Sequence, residues 1–191
     1  MKPNEKSRLN ELSKTGNGSV LIAKPFLNED NYQRSVVLIL EHDSHGSVGM
    51  IINKPSTLIV KNALRGLAVD APLYYGGPSD IKTISYLHTY PELPDTMTAG
   101  PNLYWGGDFD VVARGIESGR MNELDFKFFA GFVLWLPGQL EREIQMQKWW
   151  IGDTNKQEVF TCPPEELWSY KLISSGHPYG LMDAIPDPVL N

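Results

Sequence analysis

Cysteine is nearly absent from this sequence: the 191 residues contain one, Cys162, so no disulfide can close within the chain. Long apolar runs are missing too. No window approaches the roughly 18–20 continuous apolar residues that span a bilayer, which argues against an integral membrane protein. The opening stretch MKPNEKSRLNELSK is polar where a signal peptide carries an apolar core, and together with the lone cysteine this points to a cytoplasmic protein. Basic clusters are also lacking. With 17 Lys and Arg against 23 Asp and Glu the formal charge is −6, so tracking the phosphates of a nucleic acid is disfavoured as an activity.

What is present is an ordinary globular mixture, 41% hydrophobic and 21% charged, without repeats or low-complexity tracts. The length suits one domain, read here as residues 18–191 behind a polar tail at 1–17 that ends in the turn-rich Thr15-Gly16-Asn17-Gly18.

Several segments carry element signals. The run 19–24 (SVLIAK) predicts a short buried strand. Residues 35–42 (SVVLILEH) and 47–53 (SVGMIIN) predict a hairpin, with Asp43-Ser44-His45-Gly46 as a four-residue loop and Gly46 free to take positive φ. Both strands are apolar at nearly every position, as strands covered on two faces are. A short amphipathic helix is expected over 58–67, strands at 73–75, 82–88 and 103–105, and a proline-containing loop at 91–101. Helices are expected at 109–118, capped by Asp108, and at 139–148, opened by Pro137-Gly138. Between these two lies the aromatic strand 126–135 (FKFFAGFVLW). Short strands at 150–151 and 158–161 and a helix from Pro163-Pro164 to Gly176 complete the reading. Hairpins mixed with helices indicate a mixed α+β fold around one curved, mixed sheet.

Chemistry is sparse. Glu41-His42-Asp43-Ser44-His45 gathers two histidines and carboxylates at a turn, a pattern open to a metal or to a solvated loop. His42 could act as a general base with Glu41 or Asp43, although strand neighbours point to opposite faces; the alternative is a histidine satisfied by backbone. Gly76, Gly77 and Pro78 make either a ligand-contacting loop or a sharp corner of the sheet. Gly138 and Gln139 stand at a helix N-terminus able to meet an anion, or to cap itself through Glu141 and Glu143. Cys162 reads as structural. No P-loop, dinucleotide fingerprint or serine-nucleophile elbow occurs, so neither cofactor nor metal is assigned.

The segments 18–25 (GSVLIAKP), 34–42 (RSVVLILEH) and 46–55 (GSVGMIINKP) are followed by Gly76-Gly77-Pro78, the Gly138-Gln139-Leu140-Glu141 turn, Trp149 or Trp150, and Leu167-Trp168. In order and combination they resemble the motifs of the AlgH/YqgE family of bacterial proteins, over about residues 18–176. The resemblance implies a mixed α/β fold with a bifurcated sheet curled into a pseudo-barrel and flanked by helices. It also implies a family that carries a transcriptional-regulator label without an established biochemical activity, and it brings no catalytic residues. Lys54 stands where the family usually has arginine, and 132–139 (FVLWLPGQ) replaces a Gly-x-Gly-Pro-Gly-Gln approach to the turn.

The expectation is a cytoplasmic regulatory or interaction protein that binds a protein or small ligand, with nucleic acid disfavoured and no membrane as partner. Asn53, Gly76, Gly77, Pro78, Gly138 and Gln139 are its candidate binding residues. The alternatives are a small hydrolase using His42 with a carboxylate, and a nucleic-acid-associated regulator. Oligomeric state is not legible.

Overall fold

The computed structural model describes residues 15–27 and 29–175. The tail expected at 1–17 lies outside them but for its last three residues, as do the helix stop at Gly176 and the remainder of the expected domain. Among the described residues ten strands run in chain order: β1 (Ser19–Ala23), β2 (Val36–Asp43), β3 (Gly46–Ile51), β4 (Pro55–Ile59), β5 (Pro72–Tyr75), β6 (Ser79–His88), β7 (Thr96–Gly100), β8 (Leu103–Gly106), β9 (Phe126–Trp135) and β10 (Trp149–Asp153). The helices are α1 (Val60–Ala63), α2 (Phe109–Glu117), α3 (Gln139–Gln145), α4 (Lys156–Thr161) and α5 (Pro164–Ser174), with a 3-10 turn at Glu123–Asp125.

All ten strands join one sheet, in the order β10-β1-β2-β3-β9-β6-β8-β7, with β4 and β5 branching off β9. The sheet is mixed because β5 runs parallel to β9 while the other pairings are antiparallel. One edge of β9 carries β6 from Phe126 to Phe132. The opposite edge is shared: Phe129 and Ala130 pair with Tyr74 and Tyr75 of β5, then Val133 to Trp135 pair with Gly49 to Ser47 of β3. This is the bifurcation, and it gives the sheet the curl of a half-barrel. The curl brings its far ends together: a Cβ on Gly18, just before β1, would sit 3.1 Å from the carbonyl oxygen of Ala99 in β7.

Burial follows from that shape. Val20, Leu38, Met50, Leu87, Ala99 and Phe129 line the inside of the curl, where α4 and α5 supply Val159, Leu167, Trp168 and Leu172. On the other face the fork separates two clusters, one under α3 around Trp135 and Trp149, the other under α2 around Tyr86, Val112 and Phe128. Residues 36–40 of β2 are buried at every position, as the apolar run predicts, because both faces are covered there. Each such side chain contributes about 1.5–3 kcal/mol of transfer free energy. Asp108 caps α2, its side chain accepting from the amides of Asp110 and Val111.

Several elements differ from the sequence reading. The hairpin loop is two residues, since Asp43 pairs with Gly46, whose φ is 134°. Residues 58–59 belong to β4, tied to β5 by the Ser56 hydroxyl donating to the Leu73 carbonyl, so the expected helix shrinks to one turn. Thr96–Gly100, expected as loop, is a strand on the edge of β8. The strand expected at 158–161 is helix α4, because Asn155 accepts from the Glu158 amide and starts a helical turn. Helix α3 stops at Gln145, short of Lys148, and Gln147 takes a φ of 63°.

His88 locks β6 to the β7–β8 hairpin. It is fully buried; its Nδ1 accepts from the Tyr90 amide at 3.2 Å, and Nε2–H faces the Gly106 carbonyl at 3.1 Å and the Thr96 hydroxyl at 2.9 Å. Burial pushes its pKa down to about 4, partly opposed by the Gly106 bond. Above the unfolded value near 6.5 both states are neutral; as pH falls toward 4 only the unfolded chain takes up the proton. Stability is therefore expected to decline by about 3 kcal/mol across that interval from this residue. Chemical denaturation between pH 7 and 4 should show a shallower pH slope for His88→Gln than for the wild type, and an unchanged slope would contradict the assignment.

Candidate functional site

The sequence candidates fall into three places. At the hairpin tip His42 pairs with Ser47, and Ser47 with Trp135, so His42 faces the α3 side of the sheet while Glu41, opposite Val48, faces away. The His42 Nδ1 lies 2.8 Å from the Ser47 hydroxyl, and Asp43 instead engages His45, through the His45 amide at 2.6 Å. Among the described residues no three His, Cys, Asp or Glu side chains converge as a metal set.

Asn53, Gly76 and Gly77 sit at the fork. The Gly76 amide donates to Ala130 O and its carbonyl accepts from the Ile51 amide, both at 2.8 Å, so this peptide stitches β5 to β9 and β3. A side chain cannot fit there: a Cβ on Gly76 would lie 2.2 Å from the Gly131 carbonyl oxygen, and one on Gly77 2.3 Å from the Phe132 carbonyl carbon. Gly77 also has a φ of 154°, and exposed Pro78 fixes the exit to β6. Asn53 is buried with its amide committed, Oδ1 accepting from the Val36 amide at 2.8 Å and Nδ2 donating to the Arg34 carbonyl at 2.9 Å. Four strand steps along β3, about 13 Å, separate the His42 partner Ser47 from the Gly76 partner Ile51. His42 and the Gly76 peptide do not meet.

The Gly138-Gln139 turn closes on itself. Gln139 Oε1 accepts from the Leu136 amide at 3.1 Å, and its Nε2 donates to Glu143 Oε1 at 3.1 Å. The second Glu143 oxygen accepts from the indoles of Trp135 and Trp149 at 3.0 and 2.9 Å. Glu143 thus clasps β9, α3 and β10, and Tyr32 packs edge-on against Trp149 beside it. Burial first and the Glu143 charge second raise the Tyr32 phenol to about 12.

Lys127 is the buried charge that the sequence reading passed over. It follows Phe126 in β9 and shares the inner face with Phe129, leaving 9% of its surface exposed. Its Nζ donates to the Val159 carbonyl at 3.0 Å and lies 4.0 Å from the centroid of the Tyr74 ring. No carboxylate among the described residues comes within 4 Å of it. Loss of solvent lowers its pKa to about 8, with nearby Cys162 acting weakly in the opposite sense. Helix α4 is held over this lysine by a buried pair from α5: Lys171 donates to Glu158 at 2.7 Å and to the Asp153 carbonyl.

Lys127 borders a cleft of about 320 Å³ walled by Pro72, Tyr74, Phe126, Phe160, Cys162 and Pro163. Its surroundings are acidic. Glu165 adds to the burial that raises the Tyr74 phenol, and Glu166 and Glu158 add to the burial that raises the Cys162 thiol. Asp70, held by Lys61 at 2.8 Å, and Glu123 also line it. The one signal in the sequence is a lysine set within an aromatic strand, without a sign of which way it faces.

A buried ammonium without a counter-charge weakens the fold. Both states hold the proton below pH 8, so the penalty is complete there, and it is relieved as pH rises toward the unfolded value of 10.5. Lys127→Met, close in volume, should raise stability at pH 7 by about 1–3 kcal/mol in chemical denaturation, with the gain shrinking by pH 10. A loss of stability at pH 7 would contradict this.

The AlgH-like family model (DUF179) matches residues 20–180. A UPF0301 protein of Chlorobium phaeobacteroides is 34% identical over 186 residues, covering 96% of this chain and 100% of the relative. One from Parabacteroides distasonis is 35% identical over 179 residues, 91% of this chain and 90% of its own. The solution structure of AlgH from Pseudomonas aeruginosa, also a UPF0301 protein, aligns with a TM-score of 0.71 at 27% identity, over 89% of this chain and 94% of that one. The crystal structure of protein DIP2367 from Corynebacterium diphtheriae shares the fold, with a TM-score of 0.75 at 22% identity over 87% and 91% of the two chains. No helix among the described residues is long and apolar enough to cross a membrane. The forked, curled sheet and these matches along most of the sequence lead to one assignment: the chain belongs to the AlgH-like UPF0301 family.

Proposed function

We propose that this chain is a cytoplasmic regulatory protein that binds a small molecule, and that the ligand seats in the cleft beside Lys127. The observation that carries the reading is the buried Lys127 ammonium, which lacks a carboxylate partner and borders a largely apolar cleft of about 320 Å³. That volume is at the lower end of small-molecule sites. A destabilising charge kept at the wall of a cleft is what a binding site, more than a core, has use for.

The chemistry of the ligand follows from the walls. Tyr74, Phe160 and the prolines favour an apolar body, and Lys127 offers a donor to one oxygen acceptor. The carboxylates around the cleft disfavour an anion. A neutral molecule with a carbonyl or hydroxyl oxygen suits both. The peptides at Gly76 and the amide of Asn53, already bonded within the fold, support a structural role for the fork.

Benzamide is a suitable probe. Followed by amide NMR, it should shift the signals of Lys127, Thr161 and Cys162, with binding at least tenfold weaker for benzoate and for Lys127→Met. Shifts confined to other regions, or equal affinity in the folded Lys127→Met variant, would overturn the proposal.

A further inference from the structure

We propose that Lys127 captures a small, neutral, apolar aldehyde or ketone as a reversible imine. The inference rests on the reading of the cleft as a ligand site and adds the reaction that would occur there.

The geometry suits an amine nucleophile. One N–H of Lys127 is held by the Val159 carbonyl at 3.0 Å, and the Tyr74 ring lies 4.0 Å away, so the amine is fixed beside the cleft. A neutral amine keeps two N–H groups, one of which still satisfies Val159 while the lone pair is free to attack. With its pKa near 8, about one molecule in ten carries the neutral amine at pH 7, against fewer than about one in a thousand for an ordinary lysine. Cys162, the other nucleophile at the cleft, is kept as a thiol by burial and by Glu166 and Glu158, which leaves Lys127 as the reacting group.

The step needs no oxidant or reductant. The nitrogen lone pair adds to the carbonyl carbon, a C–N bond forms, and the proton released from nitrogen passes to the oxygen, giving a carbinolamine. A proton from solvent then converts the hydroxyl to water, the C–O bond breaks as the nitrogen lone pair forms C=N, and the remaining N–H proton returns to solvent, so that amine and carbonyl give imine and water. Water reverses the sequence. The acidic surroundings select against keto acids, and the cleft volume selects for a small carbon body.

The test is trapping with benzaldehyde and cyanoborohydride at pH 7, read by peptide mass mapping of the full chain. Lys127 should gain the benzyl adduct at least tenfold faster than exposed Lys61, Lys82 and Lys156, and benzamide should slow it. Lys127→Arg, which keeps the charge, and Lys127→Met should lose this adduct while the exposed lysines label at unchanged rates. Labelling of Lys127 no faster than the exposed lysines, with benzamide still shifting the cleft amides, overturns the imine and leaves the binding site standing. If Lys127 stays unlabelled and benzamide shifts nothing, both proposals fall.

Discussion

The close approach of two backbones at the fork is the constraint on which the rest of the structure depends. Strand β9 can serve β5 and β3 along one edge because the Gly76 peptide lies against Gly131 with no side chain between them. A flat sheet would give β9 one neighbour on that edge. Splitting it bends the sheet into a half-barrel, gives α2 and α3 separate clusters to cover, and leaves α4 and α5 to fill the inside. Asn53 reinforces the same place by holding the start of β2 beside the end of β3.

The fork also sets up the cleft. Pairing of Tyr74 with Phe129 brings the Tyr74 ring over the inner face of β9, two residues from Lys127, and α4 lays the Val159 carbonyl on the other side of the amine. Lys127 is thus held by two elements remote from each other in sequence. The arrangement satisfies one donor fully and a second by a ring face, leaving a cation short of partners in a place where water is scarce. His88 and Glu143 offer a contrast. Both are enclosed, yet every partner they need is present, and each has the mark of a structural tie.

Much of this architecture was legible in the sequence for local reasons. Consecutive apolar residues at 36–40 announced a strand covered on both faces, Asp108 announced a helix start, and Gly76-Gly77-Pro78 marked a break between strands that could be a corner or a ligand-contacting loop. What escaped was decided by particular pairing and capping contacts that composition does not reveal. Thr96–Gly100 is a strand because β8 lies beside it, and 158–161 is helical because Asn155 caps it, despite a strand-like composition. Glu143 looked like a first-turn carboxylate until two indoles from flanking strands turned out to share its oxygen. The cleft was illegible because its walls come from 70–74, 123–128 and 160–164, and nothing local in FKFF tells an inward lysine from an outward one.

Lys127 is proposed as a buried amine held ready for a ligand. Its side-chain titration in the free protein, followed by carbon-13 NMR of labelled lysine, tests that most directly. A midpoint near 8, set apart from the other lysines, is expected. A midpoint at the ordinary lysine value of 10.5 would mean that the amine is solvated or paired, and would contradict the proposal.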